Sequence, residues 1–224
     1  MAIGVALSLR WGAEGWALPM AILAVAAIVA FLASAKSPAQ IDALVAGCYV
    51  GGLCVSILLV ANAGAHLEEL QHRFVGMDVT VDWGDLKWSA PGLLVLAGVS
   101  AVLWRRWVLM VQMPAVAELA GLSPVRWHYL FMSLMSIALM VGTHAQGVVM
   151  VLSLLFLPAA AVLPWTRRVP TAMAAAAVLG VLLVGAGDVM SNAMNWPFSQ
   201  SVGGAGFVVL VASRLAALVA RRSL

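Results

Sequence analysis

Hydrophobic positions in this chain come in long unbroken stretches, separated by short polar interruptions. A bilayer core of about 30 Å needs about 20 apolar residues for each helical crossing. Seven stretches meet that length, near residues 16–35, 41–62, 90–110, 127–143, 147–165, 170–190 and 201–220, and residues 1–9 read as the tail of an eighth. None of the interruptions is long enough to fold as a separate aqueous domain, and the alternating pattern of a membrane barrel strand is missing. The pattern predicts an all-α fold, a polytopic transmembrane helical bundle of about seven spans plus a truncated N-terminal one, with residues 1–224 forming a single transmembrane domain.

One interruption has its own helical grammar. Between Arg105 and Arg126 the chain reads Gln112-Met113-Pro114-Ala115-Val116-Ala117-Glu118-Leu119-Ala120-Gly121-Leu122-Ser123-Pro124. Pro114 suits the first position of a helix, Gly121 a left-handed stop, and Ser123-Pro124 the cap and opening of the next helix. About two turns, Pro114 to Ala120, are expected. A helix that short is marginal in water, so it needs a surface to rest on, either the protein's own spans or a partner on that side of the membrane.

Composition confirms the class, with 64% of residues hydrophobic and 9% charged. Charge then supplies the orientation. With a cytoplasmic C-terminus, Lys36, Arg105, Arg106, Arg126, Arg167, Arg168, Arg221 and Arg222 lie inside, against Arg10, Arg73 and Lys87 outside, while Arg214 falls within the last span. Trp11, Trp16, Trp83, Trp88 and Trp196 then mark outer span ends and Trp104, Trp107, Trp127 and Trp165 inner ones, as an interfacial belt requires. The insert at 112–126 is thus expected in the cytoplasm and the connection at 63–89 outside. The same inner-face bias accounts for the basic isoelectric point without any nucleic acid partner.

Candidate chemistry is sparse. The 63–89 connection carries Glu68, Glu69, Asp78, Asp82, Asp85, His66 and His72, an acidic external surface that reads either as a collecting face for a divalent cation or its carrier protein, or as a solvated loop with a short interfacial helix. Cys48 and Cys54, inside one apolar span, read as small core residues. From Trp127 to Thr166 there are 40 residues without Asp, Glu, Lys or Arg, broken at Gly142-Thr143-His144-Ala145-Gln146-Gly147, which reads as a tight outer turn. His144 there is either a hydrogen-bonded structural residue or a cavity-facing metal ligand. Asp188, near the outer end of the sixth span, either reaches the interface or lines a path with His144 as a weak metal site. Pro158, inside the fifth span and followed by three alanines, frees a backbone carbonyl and lets a neighbour approach, which suits a translocation-path kink or an ordinary packed bundle.

Taken in order, four segments resemble the permease subunits of ATP-binding-cassette importers for zinc, manganese and iron: Phe74 to Leu86 in the outer connection, Ala117-Glu118-Leu119-Ala120-Gly121-Leu122, the run Gly147 to Ala160, and Ser191 with Asn195-Trp196-Pro197. The resemblance covers nearly the whole chain. It implies that the insert is a coupling helix seated on a separate cytoplasmic ATPase through Glu118, Leu119, Gly121 and Leu122. It also implies a second permease copy, an extracytoplasmic metal-binding protein, a bacterial inner-membrane location among lipid, and a divalent metal (Zn, Mn or Fe) as cargo with no cofactor held by this chain. Family members usually begin with further spans carrying an Asp and a Ser-His-Ala-x-Leu-Pro-Gly type segment, so Met1 to Leu7 is expected to be the remainder of that helix. No Gly-x-x-x-x-Gly-Lys loop occurs, so this chain is not expected to be an enzyme. The competing class is a secondary metal transporter or channel, which would show paired intramembrane charges or broken helices repeated in two halves.

Overall fold

In a computed structural model the described residues are 26, 28, 29, 38–61 and 83–222. They form seven ordered helices and no strand: α1 (Pro38–Ala61), α2 (Trp83–Gln112), α3 (Pro114–Leu119), α4 (Pro124–Gln146), α5 (Val148–Val162), α6 (Val169–Met194) and α7 (Phe198–Arg222). Five of them, α1, α2, α4, α6 and α7, are long and apolar enough to cross a membrane, while α5 is a shorter apolar helix of 15 residues. The protein is an all-α, multi-pass membrane protein. The stretch at 16–35 and the residues before it lie outside the described residues, apart from three helical positions.

Two compact units divide the chain, 79–148 on one hand and 1–78 with 149–224 on the other. In the larger unit, α7 packs on α1 and α6. Leu44, Val50 and Cys54 of α1, Val149, Leu157, Ala160 and Ala161 of α5, and Leu210 of α7 make the buried cluster. Lipid tails are as apolar as leucine, so burial alone does not join such helices; close van der Waals contact does, and small residues permit it. Gly187 of α6 lies against Val202, where an added Cβ would meet the Val202 backbone at 2.8 Å. Gly206 of α7 likewise leaves room for Leu157, whose Cδ1 would stand 2.9 Å from an added Cβ. Cys48 and Cys54 are buried, as small core residues should be. Ser56 and Ser153 keep their hydroxyls satisfied by donating to the carbonyls of Gly52 and Val149 one turn back, at 2.6 and 2.7 Å.

In the smaller unit, α2 packs on α4 and both hold α3. Helix α2 starts at Trp83, so the last residues of the expected outer loop, 83–89, are helical instead, and the loop proper can occupy only part of 63–89. Backbone polarity explains the extension, because a helix satisfies its own N–H and C=O groups as it approaches lipid. A second difference lies at the expected outer turn. Thr143, His144, Ala145 and Gln146 continue α4, and the break is confined to Gly147, at φ +79°, whose N–H still donates to the Thr143 carbonyl at 3.0 Å. Only glycine takes that backbone without strain, so one residue does the work expected of six.

Candidate functional site

The insert at 112–126 assembles as its residues dictate. Pro114 has no N–H and forces the residue before it out of the helical region, and Met113 accordingly sits at φ −140°, ψ 69°. This ends α2 and starts α3 with Pro114 in its first turn. At the other end, the Leu122 N–H donates to the Ala117 carbonyl at 3.0 Å and the Gly121 N–H to the Glu118 carbonyl at 2.9 Å. That pair of bonds is a Schellman motif, and it requires the left-handed residue that Gly121 supplies at φ +75°. Ser123 then occupies the N-cap of α4 in extended geometry ahead of Pro124, but its side chain makes no capping hydrogen bond, contrary to the role its identity invites.

What the insert presents follows from which face it buries. Ala117 is 0% exposed, pinning α3 to its unit. Met113, Val116 and Leu119, three residues apart in turn, are exposed, Leu119 to 89%. Glu118 and Gly121 are exposed beside them and Leu122 is half-buried. An apolar stripe flanked by one carboxylate is therefore displayed on a short helix whose ends are fixed.

The residues considered for a metal are placed differently. Asp188 is exposed on α6, where its Oδ1 accepts from Asn192 Nδ2 at 3.2 Å, one turn along the same helix. His144 lies in the last turn of α4, with its side chain outside what is described. They belong to different units, and each is described with its own. Among the described residues no three His, Cys, Asp or Glu side chains come together. Most of the acidic outer connection, 62–82, lies outside the described residues.

Pro158 is fully buried within α5. Downstream of it, α7 caps the free end of that helix. The Arg214 guanidinium donates from Nη2 to the Ala160 carbonyl at 3.3 Å, and Ser213 Oγ donates to the Ala161 carbonyl while accepting from Trp165 Nε1 at 2.8 Å. The last carbonyls of a helix lack intrahelical partners and carry the negative end of its dipole, so a cation and a hydroxyl are suitable caps. Arg214, 3% exposed, thus has a defined position that its place in a span had not revealed.

The outer turn between α6 and α7 is equally specific. Ser191 Oγ donates to the Trp196 carbonyl at 2.7 Å, the Trp196 N–H donates back to the Ser191 carbonyl at 3.2 Å, and Asn195 takes the left-handed conformation at φ 54°. Just beyond, Gln200 is 0% exposed, and neither of its amide atoms has a hydrogen-bond partner among the described residues. Sequence reasoning passed over Gln200. The available signal was an amide one step inside an otherwise apolar, glycine-rich helix.

The sequence profile of the ABC 3 transport family matches residues 1–220. The manganese transport system membrane protein MntC of Halalkalibacterium halodurans is 27% identical over 186 residues, 83% of this chain and 61% of that protein. An uncharacterised membrane protein of Synechocystis sp. is 26% identical over 204 residues, 91% of this chain and 68% of that protein. The chain therefore spans about three-fifths to two-thirds of the length of these curated relatives. Among solved structures, PsaBC from Streptococcus pneumoniae in complex with Fab is similar at a TM-score of 0.57 and 18% identity, over 95% of this chain and 76% of that one, a likeness of fold.

Proposed function

Because the chain belongs to the ABC 3 transport family, we propose that it is the membrane permease of an importer for a divalent metal ion, driven by a separate cytoplasmic ATPase. Zinc, manganese and iron are the candidate cargoes, and the name of the Halalkalibacterium relative favours manganese. An extracytoplasmic metal-binding protein delivers the ion, and a second permease copy completes the path.

One observation carries this reading above that of an ATP-independent transporter. A short helix with a fixed stop, held through its buried Ala117, leaves Val116, Glu118 and Leu119 exposed, with Met113 exposed at its N-cap. Exposed apolar residues rimmed by charge are what a docking helix offers to a groove. Glu118 and Leu119 make the contact, while Gly121 and Leu122 hold the helix end in register. Pro158 and the caps on α5 keep one wall of the path in a defined shape, and His144 and Asp188 serve as weak outer ligands for the passing ion.

The test is co-purification of the tagged chain with an ABC ATPase from its source cells, with and without Glu118→Arg, together with uptake of radiolabelled manganese, zinc and iron by those cells. Loss of both association and uptake in the variant is expected. Undiminished uptake with no associated ATPase would favour the secondary transporter.

A further inference from the structure

Within the smaller unit, the C-terminal part of α2 and the N-terminal part of α4 enclose an apolar groove of about 610 Å³, lined by Trp107, Met110, Trp127, Tyr129, Phe131 and Met132 among others. That volume lies within the about 300–1,000 Å³ of sites that hold small amphiphilic ligands. Three features say what fills it.

First, the groove is open along α4, since its lining residues Val125, Tyr129 and Met132, spaced along one face of that helix, are all exposed. Second, its rim is cationic. The Arg106 guanidinium lies 5.2 Å from the centroid of Trp127, a lining residue, and Arg126, exposed and not itself lining the groove, is in the same first turn of α4 as the lining residues Val125 and Trp127, within reach of its edge. Both arginines are exposed, and neither pairs with a carboxylate among the described residues. Third, Trp107, fixed edge-on to Phe131 with ring centroids 5.3 Å apart, holds a buried indole N–H that has no acceptor among the described residues. An apolar, largely aromatic channel, two guanidinium groups with no carboxylate partner among the described residues and one spare N–H donor complement an acyl chain, a phosphate and an ester oxygen.

We infer that this groove is a site for an anionic phospholipid, its chain between α2 and α4 and its phosphate held by Arg106 and Arg126. On the orientation proposed above, the lipid comes from the cytoplasmic leaflet. Bulk lipid would not require the arginines, and a zwitterionic headgroup would set its own cation against them.

The full chain is reconstituted into phosphatidylcholine vesicles containing a minor fraction of chain-brominated phosphatidylglycerol or, in parallel, chain-brominated phosphatidylcholine, and tryptophan quenching is recorded. The contribution of Trp107 and Trp127 is obtained by subtracting the Trp107→Phe/Trp127→Phe protein. Both lipids populate both leaflets, so the outcome does not depend on the orientation or on transport. A preference for the glycerol lipid of roughly thirty-fold is expected, about five-fold for each of the two arginines near an anionic headgroup. It should collapse toward unity in Arg106→Gln/Arg126→Gln. Both substitutions are at exposed positions, and size-exclusion elution of the variant at the wild-type volume establishes that it is folded. Equal quenching by the two lipids, or a preference that survives loss of both arginines, overturns the site. So does absence of quenching by either lipid with Met132→Cys cross-linking between two chains, which would make the groove an interface between copies.

Discussion

Gly121 offers the cleanest separation of backbone effects from partner contact. It holds φ +75°, and an added Cβ would meet nothing within 4 Å. A side chain there therefore costs this chain only the left-handed conformation, about 1–2 kcal/mol for an ordinary residue and less for asparagine, which tolerates that region. The Schellman bonds from Leu122 to Ala117 and from Gly121 to Glu118 depend on that conformation. Helix α3 is only six residues long, so its register has little else to rely on. A penalty of 1.4 kcal/mol is a tenfold change in the population of the docked geometry. Gly121→Leu should consequently lower metal uptake about tenfold or more while leaving membrane insertion and thermal unfolding of the chain close to wild type. Gly121→Asn should retain most of the uptake. The assays are radiolabelled metal uptake in cells and ATP turnover of the reconstituted complex, read side by side. Wild-type uptake by Gly121→Leu would remove the insert from the coupling path. An equal loss in both variants would show that bulk against a partner matters there, and that the backbone argument is wrong.

Other outcomes follow from the same geometry. Arg214→Leu removes the charged cap on Ala160 and should destabilise the chain by about 1.5–3 kcal/mol, whereas Arg214→Lys should recover part of it; equal thermal unfolding of Arg214→Leu and wild type would show the cap to be idle. Gln200→Leu should raise thermal stability by about 1–3 kcal/mol, because a buried amide without partners is lost; a fall instead would mean that the amide is satisfied in the assembled transporter, and a rise accompanied by lost uptake would place it on the ion path. For topology, Ser89 is buried, so the outer probe belongs at exposed Lys87: Lys87→Cys should label with an impermeant thiol reagent in intact cells and Ser123→Cys should not, and the reverse pattern would invert the orientation. Replacing His144 and Asp188 together by alanine should weaken uptake of one metal more than the others, and unchanged rates and affinities for all three would remove them from the path.

The parts of this molecule legible in its sequence are those decided locally. Spans follow from runs of apolar residues, because in lipid a backbone has to satisfy its own hydrogen bonds and only a helix does so within one segment. The insert was legible for the same reason, since Pro114, Gly121 and Pro124 each fix a dihedral angle without reference to the rest of the fold. Where local signals compete, the sequence misled. Gly142 and Thr143 look like turn residues, but Thr143 Oγ1 donates to the Met140 carbonyl at 3.1 Å, which removes the hydroxyl's competition with the helix and leaves Gly147 as the sole break.

The long-range parts were not legible. Arg214 counts in the sequence as a charge in a span, an expense that demands a partner. One of its partners is a backbone carbonyl 54 residues away, made available because α5 ends at Val162 with its last carbonyls open. No side-chain pattern encodes a bare carbonyl. The same reasoning applies to Trp165, Ser213 and Ala161, joined across 48 and 52 residues by two hydrogen bonds. Together these contacts tie the end of the proline-bearing helix to α7, so a movement of one is transmitted to the other through groups that a low-dielectric surrounding makes costly to separate. A latch of that kind belongs with helices that move together, and α5 and α7 are expected to shift as one body.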